Sequence, residues 1–321
     1  MSAPVEIQTV ALGRSGRTIP RIALGCGNFG GIGSLPAFFG QGLSDAQAAE
    51  LMDAAWELGI THFDTADAYG GGRSETAIGR WMASRGVHPT LTTKTFNPMD
   101  EGADHGLAPA RVRRQLNSSL ERLGVDRVAL FLAHEFDPAV ALTESLGTFD
   151  ALRADGLILD YGVSNFSAAQ LEQALAAGRP VAVQNSYSLL ERGDGREALG
   201  LCHARGVTYL AFSPLAGGWL SGKYRRRAPY PEGSRMTQRP DPYLDLARQS
   251  TFDALDRLRG FAGRRGISMA GASLAWLLAD SRVGQVVMGP GRPDHLEPVR
   301  EALAHPLSPA ERAELGTLTR T

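Results

Sequence analysis

One alternation constrains this chain more than any other feature. Eight times, a short apolar run is followed by a helix-length amphipathic stretch. The runs fall at 21–25 (RIALG), 60–64 (ITHFD), 90–94 (TLTTK), 127–134 (RVALFLAH), 157–165 (LILDYGVSN), 181–185 (VAVQN), 207–213 (VTYLAFS) and 283–289 (VGQVVMG). Strands that alternate with helices pair in parallel through right-handed crossovers. Eight such units favour a closed (β/α)8 TIM barrel over an open sheet. No repeat, low-complexity tract or linker interrupts them, so residues 1–321 are expected to form one domain.

Local signals agree. Ser44–Gln47, Ser167–Gln170 and Ser308–Glu311 have capping-box spacing, the last with Pro309 at the first helical position. Gly59, Gly86, Gly124, Gly156, Gly178 and Gly206 stand where helices should stop. The segment before residue 21 is expected to form an N-terminal β-hairpin that turns at GRSGR and plugs the barrel bottom. Residues 214–247 form one long Gly-, Pro- and Arg-rich loop after the seventh strand. Loops of that length in compact domains are usually functional or disordered.

A barrel gathers the C-terminal ends of its strands on one rim. Here those ends carry Asp64 with Tyr69 just beyond, Lys94, His134, Ser164 and Asn165, Gln184, Phe212 and Ser213, and Gly289. The opposite ends (Arg21, Ile60, Thr90, Val181) carry no comparable set. Each rim residue alone has a plain reading: a turn aspartate, a packing tyrosine, a hydrogen-bonded histidine. Lys94 alone could be an ion-pair partner or a Schiff-base nucleophile. Together they form an acid. A Lys94 ammonium beside Tyr69 should lower the phenol below its usual pKa of ~10, with Asp64 holding the ammonium and a neutral His134 donating to a substrate oxygen. Such a tyrosine can protonate a forming alkoxide, but the set has no hydride source and so implies a redox cofactor. Asp67 reads as a turn residue.

FDTADAYG, the lysine of LTTK, the histidine of FLAH, GVSNF, QNSYSLLER and SPLAGGWLSGKY resemble the signature segments of the aldo-keto reductase superfamily, in order and from about residue 10 to about residue 315. The last of these is similar to the bacterial branch related to potassium-channel β subunits. The resemblance implies a (β/α)8 barrel that binds a nicotinamide dinucleotide, usually NADPH, and moves hydride to an aldehyde or ketone. It implies a catalytic tetrad of Asp64, Tyr69, Lys94 and His134. Ser164, Asn165 and Gln184 match the carboxamide-binding residues, and Phe212 matches the aromatic that stacks on the nicotinamide. Ser213, Leu215, Gly217 and Lys223 match the pyrophosphate loop. Gly25, Cys26, Gly27 and Asn28 would lie near nicotinamide and substrate. After Gly289 the chain departs from the family pattern. Gly291, Arg292 and His295 occupy the adenosine positions, where Arg292 favours NADPH and NADH stays open. Pro298 and Val299 cannot supply the adenine hydrogen bonds.

Residues 25–30, GCGNFG, also fit G-x-G-x-x-G. A dinucleotide fold of that kind needs a helix to begin within the glycines, whereas here the chain runs on as GIGSLPAFFGQG. A pocket-lining loop is the expectation. The substrate pocket should draw on residues 26–40 with Phe38 and Phe39, the loop after His134, Trp219 and residues 224–247.

Other classes are bounded more simply. A net charge of −1 argues against nucleic acid or an acidic membrane surface as partner, and no apolar run approaches the ~18 residues of a bilayer span. Two distant cysteines, Cys26 and Cys202, build neither a disulfide framework nor a thiolate metal cluster, so no metal is expected and a reducing cytoplasm is the expected compartment. The N-terminus reads as no secretory signal. A homo-oligomer stays open, as does a regulatory subunit that keeps the cofactor but turns over little.

Overall fold

The computed structural model describes residues 6–320. Strands β1 (Thr9–Ala11) and β2 (Thr18–Pro20) form an antiparallel hairpin. Eight parallel strands then close into a barrel: β3 (Ile22–Gly25), β4 (His62–Asp64), β5 (Thr90–Thr95), β6 (Val128–Ala133), β7 (Ile158–Ser164), β8 (Ala182–Ser186), β9 (Thr208–Phe212) and β10 (Val283–Met288), with β10 paired to β3. Every strand expected from the sequence is present within two residues.

Between them run α1 (Asp45–Leu58), α2 (Arg73–Arg85), α3 (Pro109–Leu123), α4 (Leu142–Ala154), α5 (Ala168–Ala177) and α6 (Gly193–Arg205). After β9 come a one-turn α7 (Arg235–Gln238), then α8 (Gln249–Arg265) and α9 (Met269–Leu278). α10 (Glu297–Ala304) and α11 (Pro309–Leu318) follow β10. The three expected capping boxes all form, each serine accepting from the N–H three residues on. α3 shows why such segments are helical: Val112, Leu116, Leu120 and Leu123 recur on one face and are buried. Truncating Leu116 to alanine there would cost about 2–5 kcal/mol.

Gly178 differs from the other stop glycines. Its φ of −160° is extended, not left-handed. A side chain there would meet the Tyr161 hydroxyl at 2.9 Å and Leu146 at 3.0 Å, so close approach demands the glycine.

The hairpin closes the barrel bottom as expected. Leu12 and Ile19 pack against Leu130, Leu132, Val181, Ala182 and Leu210. Thr208 Oγ1 donates to Ala11 O and accepts from Gly13 N, and Arg17 pairs with Asp160 at 2.7 Å. With that end sealed, only the C-terminal rim is open to chemistry. No helix begins within residues 25–30; α1 starts at Asp45, as the loop reading requires. Among the described residues, no helix is long and apolar enough to cross a membrane.

Candidate active site

Strand register builds the rim. Asp64 lies between Gly25 and Thr92, Lys94 opposite Leu132, Ser164 opposite Gln184, and Ser186 opposite Phe212. His134 follows β6, its N–H held by Thr95 O at 2.9 Å. Tyr69 opens a 3-10 turn five residues past Asp64.

Lys94 is fully buried. Its Nζ donates to Asp64 Oδ1 at 2.5 Å, Thr65 O at 2.8 Å and Tyr69 Oη at 3.4 Å. Three acceptors for three N–H groups leave the ammonium satisfied. The Tyr69 and His134 rings meet edge to face, centroids 5.6 Å apart. The four residues expected to form the tetrad are therefore adjacent.

Burial works against the Lys94 charge, but Asp64 and Tyr69 outweigh it and hold the ammonium above the usual lysine pKa. A Schiff-base lysine needs the opposite shift, so the nucleophile reading loses its basis. Burial, and then Lys94, push His134 well below its usual value, so the ring is neutral. Tyr69 departs from expectation. Desolvation pushes its phenol up and outweighs the pull of Lys94, so the hydroxyl is a protonated acid rather than a partial phenolate.

The carboxamide set is also tied to the protein. Gln184 Nε2 donates to Asp64 Oδ2 at 2.6 Å, and Ser164 Oγ donates to Gln184 O at 2.9 Å. Asn165 Nδ2 lies 3.0 Å from both His134 O and Glu135 Oε1. Burial raises the pKa of Glu135 to about 7. Asn165 and Ser213, which follow β7 and β9, have φ of 58° and 54°. Left-handed backbone in residues other than glycine clusters at functional sites.

Phe212 and Leu215 are half-buried beside them. Gly217 and Gly218 are left-handed, and added side chains would collide with Tyr243 at 2.5 Å and Lys223 at 2.4 Å. Asn28 Nδ2 donates to Pro290 O at 2.8 Å, which ties the β3 loop to the loop after β10, and Gly25 O lies beside Gly289. Gly27 packs against the Tyr69 ring. The Cys26 thiol is turned into the core. At the far end Arg292 is exposed and paired with Asp294, while His295 Nδ1 accepts from Gly291 N.

Three features escaped the sequence reading. Trp219 does not line the pocket: it is wholly buried among Tyr224, Phe252 and Tyr230, with ring centroids 4.9–6.2 Å away. Asp67 stands in a turn, as read, but its carboxyl is buried, with Thr95 Oγ1 and Ala68 N as donors and a pKa raised by burial to about 7. Arg235, from the long loop, joins Lys223. Burial lowers both, and neither forms an ion pair among the described residues. An exposed Lys223 and a part-buried Arg235, neither facing a carboxylate among the described residues and both beside a glycine cradle, fit a phosphate-bearing ligand.

The chain belongs to the aldo/keto reductase family, whose sequence pattern matches residues 21–319. That places it among oxidoreductases that act on carbonyl groups. It is 32% identical to the L-glyceraldehyde 3-phosphate reductase of Escherichia coli K12 over 317 residues, covering 93% of this chain and 88% of the relative. It is 31% identical to the uncharacterised oxidoreductase YrpG of Bacillus subtilis over 310 residues, covering 91% and 90%. Its fold superposes on the glycerol dehydrogenase AKR11B4 of Gluconobacter oxydans with a TM-score of 0.81, at 25% identity, covering 98% of this chain and 94% of that one.

Proposed function

We propose that this protein reduces an aldehyde or ketone to the alcohol with NADPH, Tyr69 being the proton donor. The observation that carries the reading is the fully buried Lys94, held between the Asp64 carboxylate and the Tyr69 hydroxyl. An ammonium in that place, held by the Asp64 carboxylate, also stabilises negative charge on the Tyr69 phenolic oxygen.

When bound, the dinucleotide supplies hydride to the carbonyl carbon. Ser164, Asn165 and Gln184 would hold its carboxamide. Gln184 spends one N–H on Asp64, which leaves its second N–H and Oε1. Phe212 would hold the nicotinamide face. Ser213, Leu215, Gly217, Lys223 and Arg235 would hold the phosphates, and Arg292 and His295 the adenosine end. A cation that reaches the 2′-phosphate, from Arg292 or from the Lys223–Arg235 pair, would favour NADPH over NADH.

Tyr69 Oη and a neutral His134 both present protons to the substrate oxygen. As charge builds there, Tyr69 gives up its proton and Lys94 stabilises the phenolate left behind. Asp64, gripped by both Lys94 and Gln184, keeps the ammonium charged and aimed. The raised phenol pKa keeps Tyr69 protonated at neutral pH, and Lys94 eases the proton's release as charge builds on the substrate oxygen. Residues 26–40, with Phe38 under Arg239 at 5.3 Å, would wall the substrate side.

The test is a binding titration with NADPH and NADH, followed by a panel of aldehydes and ketones read at the nicotinamide absorbance. Tight NADPH binding with turnover of at least one carbonyl is expected. Binding without turnover of any of them would instead favour a regulatory role.

A further inference from the structure

The proposed mechanism needs His134 to donate, yet leaves unexplained what fixes its proton. Asn97, in the TFNP stretch after Lys94, places its amide Nδ2 3.3 Å from His134 Nδ1. An amide nitrogen only donates, so Nδ1 accepts and the ring proton is assigned to Nε2.

Asn97 is itself clamped. The buried Arg111 spans the loop from inside, with Nη2 donating to Asn97 O at 2.7 Å and Nη1 to Gly106 O at 3.0 Å. The same Nη1 donates to Thr95 Oγ1 at 3.0 Å, and that hydroxyl passes its own proton to Asp67 Oδ2 at 2.6 Å. Asp67 Oδ1 accepts from Ala68 N at 2.7 Å, the residue before Tyr69. Buried Asp67, Thr95 and Arg111 thus join the turn that delivers Tyr69 to the loop that delivers Asn97.

We infer that Asn97 is a positioning residue that sets the His134 tautomer, held in place by the Asp67–Thr95–Arg111 relay. The inference rests on the proposed carbonyl reduction only for its effect on rate; the tautomer itself is independent of turnover. Other titratable groups facing His134 are Tyr69 and Lys94, with Asp64 behind Lys94 and Glu135 next in the chain. None of these gives Nδ1 a donor among the described residues.

Nitrogen-15 NMR of the full-length protein reads the tautomer directly, with the His134 signals assigned by their loss in His134→Gln. Wild type should show Nε2–H and unprotonated Nδ1. Asn97→Asp replaces the donor by an acceptor, so the proton should move to Nδ1. Carbonyl reduction should then lose at least about tenfold in kcat/KM at neutral pH, and its pH profile should gain an imidazole ionisation. Should Asn97→Asp not fold, Asn97→Leu should still give mixed tautomers. An Nδ1–H signal in wild type, or an unchanged tautomer and pH profile in the variants, would overturn the inference. A wild type with the expected tautomer but no reductase activity would sink the proposed function and leave the positioning role standing.

Discussion

Gln184 donates its side-chain N–H to the Asp64 oxygen that Lys94 leaves free, at 2.6 Å. The two residues are 120 apart in sequence and both are buried. A residue matched to cofactor binding is thereby also part of the acid. Removing a hydrogen bond to a buried charged group costs about 1.5–3 kcal/mol. Gln184→Leu is expected to lose that much stability in chemical denaturation of the cofactor-free protein. An unchanged midpoint would mean that Asp64 does not depend on Gln184.

The Lys94–Asp64 pair makes a sharper prediction. Breaking a buried pair from one side leaves an uncompensated charge and costs about 3–5 kcal/mol. Lys94→Met should fall by that amount, and adding Asp64→Asn should recover part of it. A strictly additive double mutant would show that the pair is not energetically coupled.

His62 gives a pH prediction. It lies inside the barrel, with Nε2 at 2.8 Å from Thr92 Oγ1 and Nδ1 at 2.8 Å from Gln285 Nε2. Burial lowers its pKa from the ordinary 6.5 to about 4. A neutral histidine in the fold and a protonated one in the unfolded chain destabilise the fold as pH falls. The loss begins near the unfolded value of 6.5, is complete below about 4, and amounts to roughly 3 kcal/mol. Thermal melts of wild type should therefore fall more steeply over that window than those of His62→Gln. Parallel slopes would contradict it.

The sequence made the barrel legible because its signals are local. Apolar runs, capping serines and stop glycines each act within a few residues, and the helices stop where read; Gly178 caps α5 in extended backbone, and Gly156 falls one residue past the Asp155 cap. The tetrad was legible because strand ends converge by topology. What stayed hidden depends on packing between distant segments. No local pattern tells that Trp219 sits inside an aromatic cluster, that Asp67 meets Thr95, or that Arg235 comes to Lys223. The direction of the Tyr69 shift was missed for the same reason: the Lys94 charge can be read from the motif, but the depth of burial cannot.

Arg235 and Lys223 supply the cofactor prediction. If they hold phosphate, Arg235→Ala and Lys223→Met should each weaken NADPH binding at least about tenfold and flatten its salt dependence. Fluorescence titration checks this. Equal losses for NADH would assign the pair to the pyrophosphate, and a loss confined to NADPH to the 2′-phosphate. Unchanged affinity for both would remove the pair from the site.

The most direct test of the central claim is a single substitution, Tyr69→Phe, which deletes the proposed proton and keeps the ring. Measured with NADPH and the best carbonyl from the panel, kcat should fall about 10²–10⁴-fold while cofactor affinity stays within a few fold of wild type. A variant that still reduces that carbonyl at a near-normal rate would contradict Tyr69 as the acid.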